Sequence, residues 1–167
     1  MEIREDRGFA GNAADGSFLT SILKKAAIIP ELRTASKGEV LKELVDALYL
    51  TVPNIDPHRL VKLLKEREEL GSTGVGSGVA IPHAKYPDLE NIVAAFGKSS
   101  SGIAFDAQDG QPVHLFFALV APEHAAGLHL KVLAKLSRLL KEESFRQRLL
   151  AADDPESIYS IILEKDD

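Results

Sequence analysis

Apolar residues recur at helical spacing in two segments of the first half of the chain. Over residues 36–50 they share one face of a predicted helix, at Val40, Leu41, Leu44, Val45 and Leu48. Ser36 and Glu39 have the spacing of a capping box, which marks the start of that helix. Asp56 followed by proline is an N-cap with proline at the first helical position, so a second helix is predicted over residues 57–70.

Short runs rich in β-branched and aromatic residues alternate with helical segments in the rest of the chain. Strands are expected near residues 78–82, 91–98 and 113–121. Asp109 and Gly110 predict a turn between the last two strands. Three more helices are expected, over residues 126–141, 143–151 and 155–164. The alternation predicts an α/β fold: a single layered domain whose mixed β-sheet is flanked by helices.

Composition and charge narrow the class of protein. Of the 167 residues, 45% are hydrophobic and 27% are charged, and the net charge of −5 argues against a nucleic-acid partner. Cysteine is absent, so thiolate chemistry is excluded and a cytoplasmic location is expected. The longest apolar run, residues 115–121, is too short to insert across a membrane. Residues 1–17 are predicted to be a disordered polar tail ahead of one domain, residues 18–167.

A glycine-rich run ends in a proline–histidine pair at Pro82 and His83. Proline removes a backbone donor and favours an extended residue before it, so His83 is expected at the exposed tip of a strand. Neutral imidazole is a competent nucleophile near neutral pH, which suits phosphoryl chemistry. The upstream residues Gly76, Ser77 and Gly78 form a loop that would let a partner approach and would contact a phosphoryl group. The run does not match the Walker loop, the dinucleotide fingerprint or the nucleophile elbow.

Two further polar residues fall on helix faces that should be apolar. Arg67 follows three leucines at helical spacing, so it lies on the stripe expected to face the core. It could pair with a neighbouring carboxylate, extend to water from the helix end, or bind an anion. His129 falls inside the apolar arc of the long helix, in the first turn, where a bound anion is favoured. The alternative for His129 is a core histidine that hydrogen-bonds a carbonyl. If Arg67, His83 and His129 converge, they form an anion site.

These residues resemble the signature of the enzyme IIA domain of the bacterial phosphotransferase system, of the fructose/mannitol type that includes the nitrogen-regulatory proteins. The segment from Glu68 to His83 carries the resemblance, through its first acidic residue, its small apolar residues and its proline–histidine pair. The resemblance extends from about Phe18 to the C-terminus. It includes Thr34-Ala35-Ser36-Lys37, Ile103-Ala104-Phe105-Asp106, Gln111-Pro112-Val113 and the long helix with its histidine. Residues 70–78 are most similar to the stand-alone nitrogen-regulatory branch.

The resemblance implies a mechanism. An HPr-type phosphohistidine carrier donates a phosphoryl group to the active histidine, which matches His83. In sugar transport the next acceptor is a cysteine or histidine of an enzyme IIB domain. The family's arginine, sixteen residues before the active histidine, matches Arg67, and its second histidine, on a following helix, matches His129. Nε2 of His83 would attack phosphorus, and Arg67 would compensate the phosphoryl charge. No metal or organic cofactor is implied.

Three functions remain open at this stage. The preferred one is phosphoryl transfer in nitrogen or metabolic regulation, with a regulatory protein as target. The second is a stand-alone, sugar-specific IIA of the fructose/mannitol type that passes phosphate to a IIB domain. The third is an interaction module whose His83 is never phosphorylated. A hydrolase or a metal-binding domain is disfavoured, because the sequence has no HExxH motif and no carboxylate-rich loop.

Overall fold

Six β-strands form one sheet within residues 18–166, the part of the chain that the computed structural model describes. They are β1 (Leu23–Ile29), β2 (Gly74–Gly76), β3 (Val79–Ala80), β4 (His83–Lys85), β5 (Val93–Ile103) and β6 (Val113–Ala121). Their order is β1-β5-β6-β3-β2, and β4 also pairs with β6. The β5–β6 and β2–β3 pairs are antiparallel, and the other three pairs are parallel. The sheet is therefore mixed, as predicted.

Helices accompany this sheet. They are α1 (Phe18–Ile22), α2 (Lys37–Tyr49), α3 (Pro57–Glu69), a 3-10 helix (Glu123–Ala125), α4 (Ala126–Leu140), α5 (Glu143–Ala151) and α6 (Pro155–Lys165). The Ser36 hydroxyl accepts the N–H of Glu39 at 3.3 Å, and Asp56 accepts the N–H of His58 at 3.1 Å. These caps confirm the predicted starts of α2 and α3. Of the helices in residues 18–166, none combines the length and apolar character that crossing a membrane requires.

Strand β6 lies inside the sheet and is buried along almost its whole length. It pairs with β5 on one side and with β3 and β4 on the other. A strand covered on both faces is apolar at successive positions instead of alternating, which explains the unbroken run over residues 115–121. Leu119 of β6 is the register partner of His83 in β4. The most buried strand therefore fixes the position of the histidine.

The strand predicted over residues 78–82 is wrong in its extent. Strands β3 and β4 are separated by Ile81 and Pro82, which belong to neither. Pro82 has no N–H, and the N–H of Ile81 bonds the Thr73 carbonyl at 3.0 Å. The Pro82 carbonyl still accepts an N–H from β6 at 2.8 Å, so the chain stays beside the sheet. His83 therefore begins a strand and is half-buried, instead of standing at an exposed strand tip.

Two elements at the start of the domain were not predicted individually. Residues 18–35 showed only recurring apolar positions, whereas the structure has α1 and β1 there. Three exposed residues in succession interrupt the burial of β1, so period-two alternation is absent. β1 gains its place by parallel pairing with β5, which the local sequence does not reveal. The predicted tail, residues 1–17, and Asp167 lie outside the described residues.

A buried carboxylate joins the two ends of the described chain. Asp166 accepts hydrogen bonds from the backbone N–H groups of Leu19 and Thr20, at 2.8 and 2.9 Å, and from the Thr20 hydroxyl at 3.1 Å. Nζ of Lys135 in α4 lies 2.9 Å from the same carboxylate. The exposed fractions of the two charged side chains are 0% for Asp166 and 11% for Lys135. The contact ties α1 to α4 and α6.

We expect Asp166→Asn to lower the free energy of unfolding by about 3–5 kcal/mol, because it removes the negative charge from a buried ion pair. Urea titration followed by circular dichroism measures the change. Asp46→Asn is the matched control, because Asp46 pairs with Lys42 at 3.1 Å on an exposed helix face. That control should cost about 0.5 kcal/mol or less. Equal losses in the two variants would show that burial does not strengthen the contact.

Candidate functional site

A pocket of about 740 Å³ opens where the end of α3, the start of β4 and the first half of α4 meet. Its wall contains the three residues singled out from the sequence: Arg67 from α3, His83 from β4 and His129 from α4. Much of the remaining wall is apolar. Two of its leucines, Leu70 and Leu130, are exposed at 84% and 69%. The fold thus brings the three predicted polar residues together inside an apolar rim.

The imidazole of His83 is held in one tautomer by the backbone just before it. Its Nδ1 lies 2.7 Å from the carbonyl oxygen of Ile81. A carbonyl oxygen only accepts hydrogen bonds, so this contact assigns the ring proton to Nδ1. Pro82, between the two residues, restricts the backbone that sets the contact. Nε2 is consequently the nitrogen with a free lone pair.

Burial favours the neutral form of His83. Loss of hydration lowers the pKa of His83 below its usual value, and the Arg67 guanidinium lowers it further. The hydrogen bond to Ile81 and the negative charge of Glu68 act in the opposite direction, because both favour the imidazolium. The net effect is a lowered pKa. The ring is therefore neutral near pH 7, which is the form that can act as a nucleophile.

His129 packs edge-on against His83. The two ring centroids are 5.6 Å apart and the ring planes meet at 80°. His129 is only 6% exposed, and its Nε2 is buried without a hydrogen-bond partner among residues 18–166. Within that range no carbonyl bonds this nitrogen, so Nε2 gives no support to the alternative of a core histidine that hydrogen-bonds a carbonyl. An unpaired buried polar atom costs about 1–3 kcal/mol, and a bound oxyanion beside His83 could supply the missing partner.

Arg67 lies at the edge of the buried stripe of α3, not at its centre. The buried residues of this helix are Leu60, Leu64 and Glu68, so the stripe is rotated by one position from the prediction. Arg67 is half-buried, and its Nη1 donates to the Gly71 carbonyl at 2.8 Å. A carbonyl does not neutralise a guanidinium, so the positive charge remains available to an anion in the pocket.

The structure does not bring the glycine loop to this pocket. Gly76 and Ser77 line a separate cavity of about 360 Å³, next to residues near the end of α4. The N–H of Ser77 donates to Asp109 Oδ2 at 3.1 Å. The Gly78 carbonyl accepts the backbone N–H groups of His114 and Leu115, near the start of β6. These contacts hold the β2–β3 turn away from His83. The predicted phosphoryl contacts of Gly76, Ser77 and Gly78 remain a prediction that this geometry does not favour.

One buried residue beside the site had no predicted role. Glu68 is 7% exposed, and its carboxylate accepts the N–H of Thr73 at 3.1 and 3.2 Å and also the Thr73 hydroxyl. Nζ of Lys37 lies 3.1 Å from the same carboxylate. A glutamate within a charged run at a helix end is usually exposed. The available signal was its spacing, four residues after Leu64 on the buried stripe.

The pocket also carries peripheral charges. Lys85 contributes a second cation, and Glu66 and Glu69 contribute carboxylates. Within residues 18–166, no group of three or more histidine and carboxylate side chains is placed to hold a metal ion. The polar groups at the centre of the pocket are thus two neutral imidazoles and a guanidinium, an arrangement that suits an oxyanion.

Comparison with known proteins identifies the family. The family model described as "Phosphoenolpyruvate-dependent sugar phosphotransferase system, EIIA 2" matches residues 21–165. The chain belongs to this enzyme IIA family. The match confirms the resemblance seen in the sequence. As an enzyme IIA domain of the phosphotransferase system, the chain has the role of a phosphoryl carrier.

Individual relatives cover nearly the whole enzyme IIA domain. The nitrogen regulatory protein of Bradyrhizobium diazoefficiens is 43% identical over 145 residues, which are 86% of this chain and 94% of the relative. The fructose-specific EIIA component of Haloferax volcanii is 40% identical over 150 residues, which are 90% and 97% of the two chains. The crystal structure of nitrogen regulatory protein IIA-Ntr from Neisseria meningitidis is 34% identical, with a TM-score of 0.80 over 85% of this chain and 97% of that one.

We expect His129 of this enzyme IIA domain to titrate with a pKa of about 4, lowered from 6.5 mainly by burial and then by the charges of His83 and Lys85. Because the folded pKa lies below the unfolded one, the unfolded chain binds the proton first. Stability should therefore fall as the pH decreases from about 6.5 to about 4. NMR titration, with His129→Phe used to assign the signal, measures the midpoint. In urea titrations, the free energy of unfolding of His129→Phe should decrease less on acidification than that of the wild type. A midpoint at 6.5 or above would contradict the burial argument.

Proposed function

We propose that this chain accepts a phosphoryl group on Nε2 of His83 from an HPr-type phosphohistidine carrier and uses it in nitrogen or metabolic regulation. One observation carries the proposal. The hydrogen bond between Nδ1 of His83 and the Ile81 carbonyl leaves Nε2 with its lone pair, in the pocket shared with Arg67 and His129. A carrier of this kind acts in the cytoplasm.

The transfer is a displacement between two imidazoles. The lone pair of His83 Nε2 forms the new N–P bond while the N–P bond of the donor histidine breaks. The donor ring, protonated on its other nitrogen, leaves as neutral imidazole. The phosphorylated His83 ring keeps its Nδ1 proton and becomes cationic. The Ile81 carbonyl stabilises that cation, because it accepts a stronger hydrogen bond from a charged donor. No net proton transfer is needed.

Side chains around the pocket stabilise the negatively charged oxygens of the phosphoryl group during the transfer. Arg67 offers guanidinium donors beside His83. His129 offers Nε2, which finds no partner in the described protein and can donate to a phosphoryl oxygen when it carries the ring proton. Phosphoryl transfer depends mainly on positioning and charge stabilisation, and a guanidinium and an imidazole beside the nucleophile are the types of group that it requires. The exposed Leu70 and Leu130 form an apolar rim on which a partner can dock.

Phosphorylation itself tests the assignment. We expect one acid-labile phosphoryl group after incubation with enzyme I, an HPr-type carrier and phosphoenolpyruvate, detected by mass spectrometry of the intact protein. His83→Gln should accept none, because it lacks the nucleophile. His58→Gln is the matched control, since His58 is exposed at the start of α3 and outside the pocket. Normal labelling of a folded His83→Gln protein would place the acceptor elsewhere.

Arg67→Gln, assayed the same way under single-turnover conditions, separates charge stabilisation from nucleophilicity. The label should still appear, but the rate should fall roughly 10²–10³-fold, the usual effect of losing one preorganised charge-stabilising group. A rate within about twofold of the wild type would remove Arg67 from the chemistry, since that difference is far below the scale of such groups.

A sugar-specific IIA is the second candidate function. The observation in its favour is the Haloferax volcanii fructose-specific relative, which at 40% identity is nearly as similar as the 43% identical nitrogen regulatory protein. Identity therefore does not separate regulation from transport. The chemistry at His83 would be the same, and only the next acceptor would differ: an enzyme IIB domain in transport, a regulatory protein in signalling.

A paired experiment decides between the two branches. We expect a partner to bind the phosphorylated and unphosphorylated chains with affinities that differ by roughly 5–150-fold, because phosphorylation adds nearly two negative charges inside the apolar rim. Isothermal titration with each form measures the difference. In parallel, the phosphorylated chain is mixed with the IIB domains of the same organism. Rapid transfer to one IIB, with no phosphorylation-sensitive partner, would establish the transport function. If an HPr-type carrier does not phosphorylate the chain, the remaining candidate function is the interaction module whose His83 is never phosphorylated.

A further inference from the structure

The last turn of α3 holds the loop over residues 71–73 from two sides. Arg67 donates from Nη1 to the Gly71 carbonyl at 2.8 Å. Glu68, the next residue, accepts the N–H of Thr73 at 3.1 and 3.2 Å and also the Thr73 hydroxyl. Both Glu68 and Thr73 are buried, at 7% and 4% exposure. Hydrogen bonds to a buried carboxylate are among the stronger ones in proteins, so the position of Thr73 is firmly set.

Thr73 in turn fixes the residue that orients His83. Its carbonyl accepts the N–H of Ile81 at 3.0 Å, and the carbonyl of Ile81 accepts Nδ1–H of His83 at 2.7 Å. Ile81 is itself buried at 3% exposure, so water does not replace these contacts. A continuous series of hydrogen bonds therefore runs from the Glu68 carboxylate through Thr73 and Ile81 to the imidazole.

We propose that Glu68 is a positioning residue for phosphoryl acceptance: through Thr73 and Ile81 it holds His83 in the tautomer that leaves Nε2 free. The inference rests on the proposed function. Glu68 does not itself line the pocket or touch the reacting nitrogen, so its hydrogen bonds reach His83 only through the loop that it anchors. Without the anchor, the Ile81 carbonyl is less strictly placed, and the His83 proton can move to Nε2. A ring protonated at Nε2 and neutral has no lone pair there for phosphorus.

Lys37 makes this buried carboxylate tolerable. Its Nζ lies 3.1 Å from Glu68 and 3.6 Å from Asp106, and it sits over the ring of Phe105 at 4.8 Å from the centroid. A buried carboxylate without a counter-charge is costly, so this pairing is needed for Glu68 to stay in place. Lys37 is the first residue of α2, and the network thereby connects three separate parts of the chain.

The charged and titratable groups that act on His83 come from three elements. Arg67 and Glu68 lie on α3, Lys85 on β4 and His129 on α4. Of these, the negative charge of Glu68 acts to raise the pKa of His83. Removing that charge while keeping the side-chain shape should therefore lower the pKa of His83 further. That change follows from the charge alone, so the tautomer of His83 is the readout that separates positioning from electrostatics.

Glu68→Gln tests the inference in the full chain. We expect ¹⁵N–¹H spectra of the unphosphorylated protein to show part of the His83 population protonated at Nε2, where the wild type is protonated at Nδ1. The pKa of His83 should fall below the wild-type value. The rate of phosphorylation by an HPr-type carrier should fall roughly 10- to 100-fold, the scale of a misplaced reacting group. Asp166→Asn is the matched control, because it also disrupts a buried carboxylate but lies outside the pocket.

Each outcome decides the matter. Wild-type tautomer, pKa and rate in Glu68→Gln would overturn the inference. A slower rate with an unchanged His83 tautomer, matched by Asp166→Asn, would reduce Glu68 to a stabilising residue and also overturn it. If Glu68→Gln does not fold, Thr73→Val carries the test, because it removes one hydrogen bond to the carboxylate and should shift the tautomer in the same direction. Failure of the proposed function is separately visible, since the wild type itself would then accept no phosphoryl group.

Discussion

The hydrogen bond between Nδ1 of His83 and the Ile81 carbonyl is the contact on which the site depends. At 2.7 Å it fixes both the ring orientation and the position of its proton. Pro82, which has no N–H, separates β3 from β4, while both strands run parallel to β6 in one register. A backbone feature of the sheet thus selects the nitrogen that can react. Few side chains are then needed for the chemistry itself, and these lie around one pocket.

Burial of two imidazoles is the second constraint, and it has a cost. The rings of His83 and His129 are 5.6 Å apart, and burial lowers the pKa of both. Two imidazolium ions at that separation would repel each other, so the pair is suited to being neutral before an anion arrives. The visible cost is Nε2 of His129, which has no hydrogen-bond partner in the described part of the chain. A phosphoryl group would relieve both features, by supplying acceptor oxygens and negative charge.

Buried charges connect the helices to one another and, in one case, to the sheet, and so hold the pocket in shape. Glu68 with Lys37 anchors the end of α3, and Asp166 with Lys135 anchors α4 to both ends of the described chain. Lys98 of β5 is also buried and donates to the carbonyls of Leu150 and Ala152 at the end of α5. Such contacts stabilise little beyond an apolar replacement, but they fix the relative position of elements. In a site that relies on placement, that positional role is the useful one.

The sequence by itself determined the helices from α2 onward, the mixed α/β class and the family, because caps, helical periods and the proline–histidine pair are signals within a few neighbouring residues. Only the tertiary structure decided that Arg67 turns to the pocket edge, that Glu68 is buried, and that Gly76 and Ser77 face another cavity. It also decided that His83 begins a strand and that His129 meets its ring. Those outcomes depend on packing between elements far apart in the chain, where local periodicity places a residue only to within one position on a helix face.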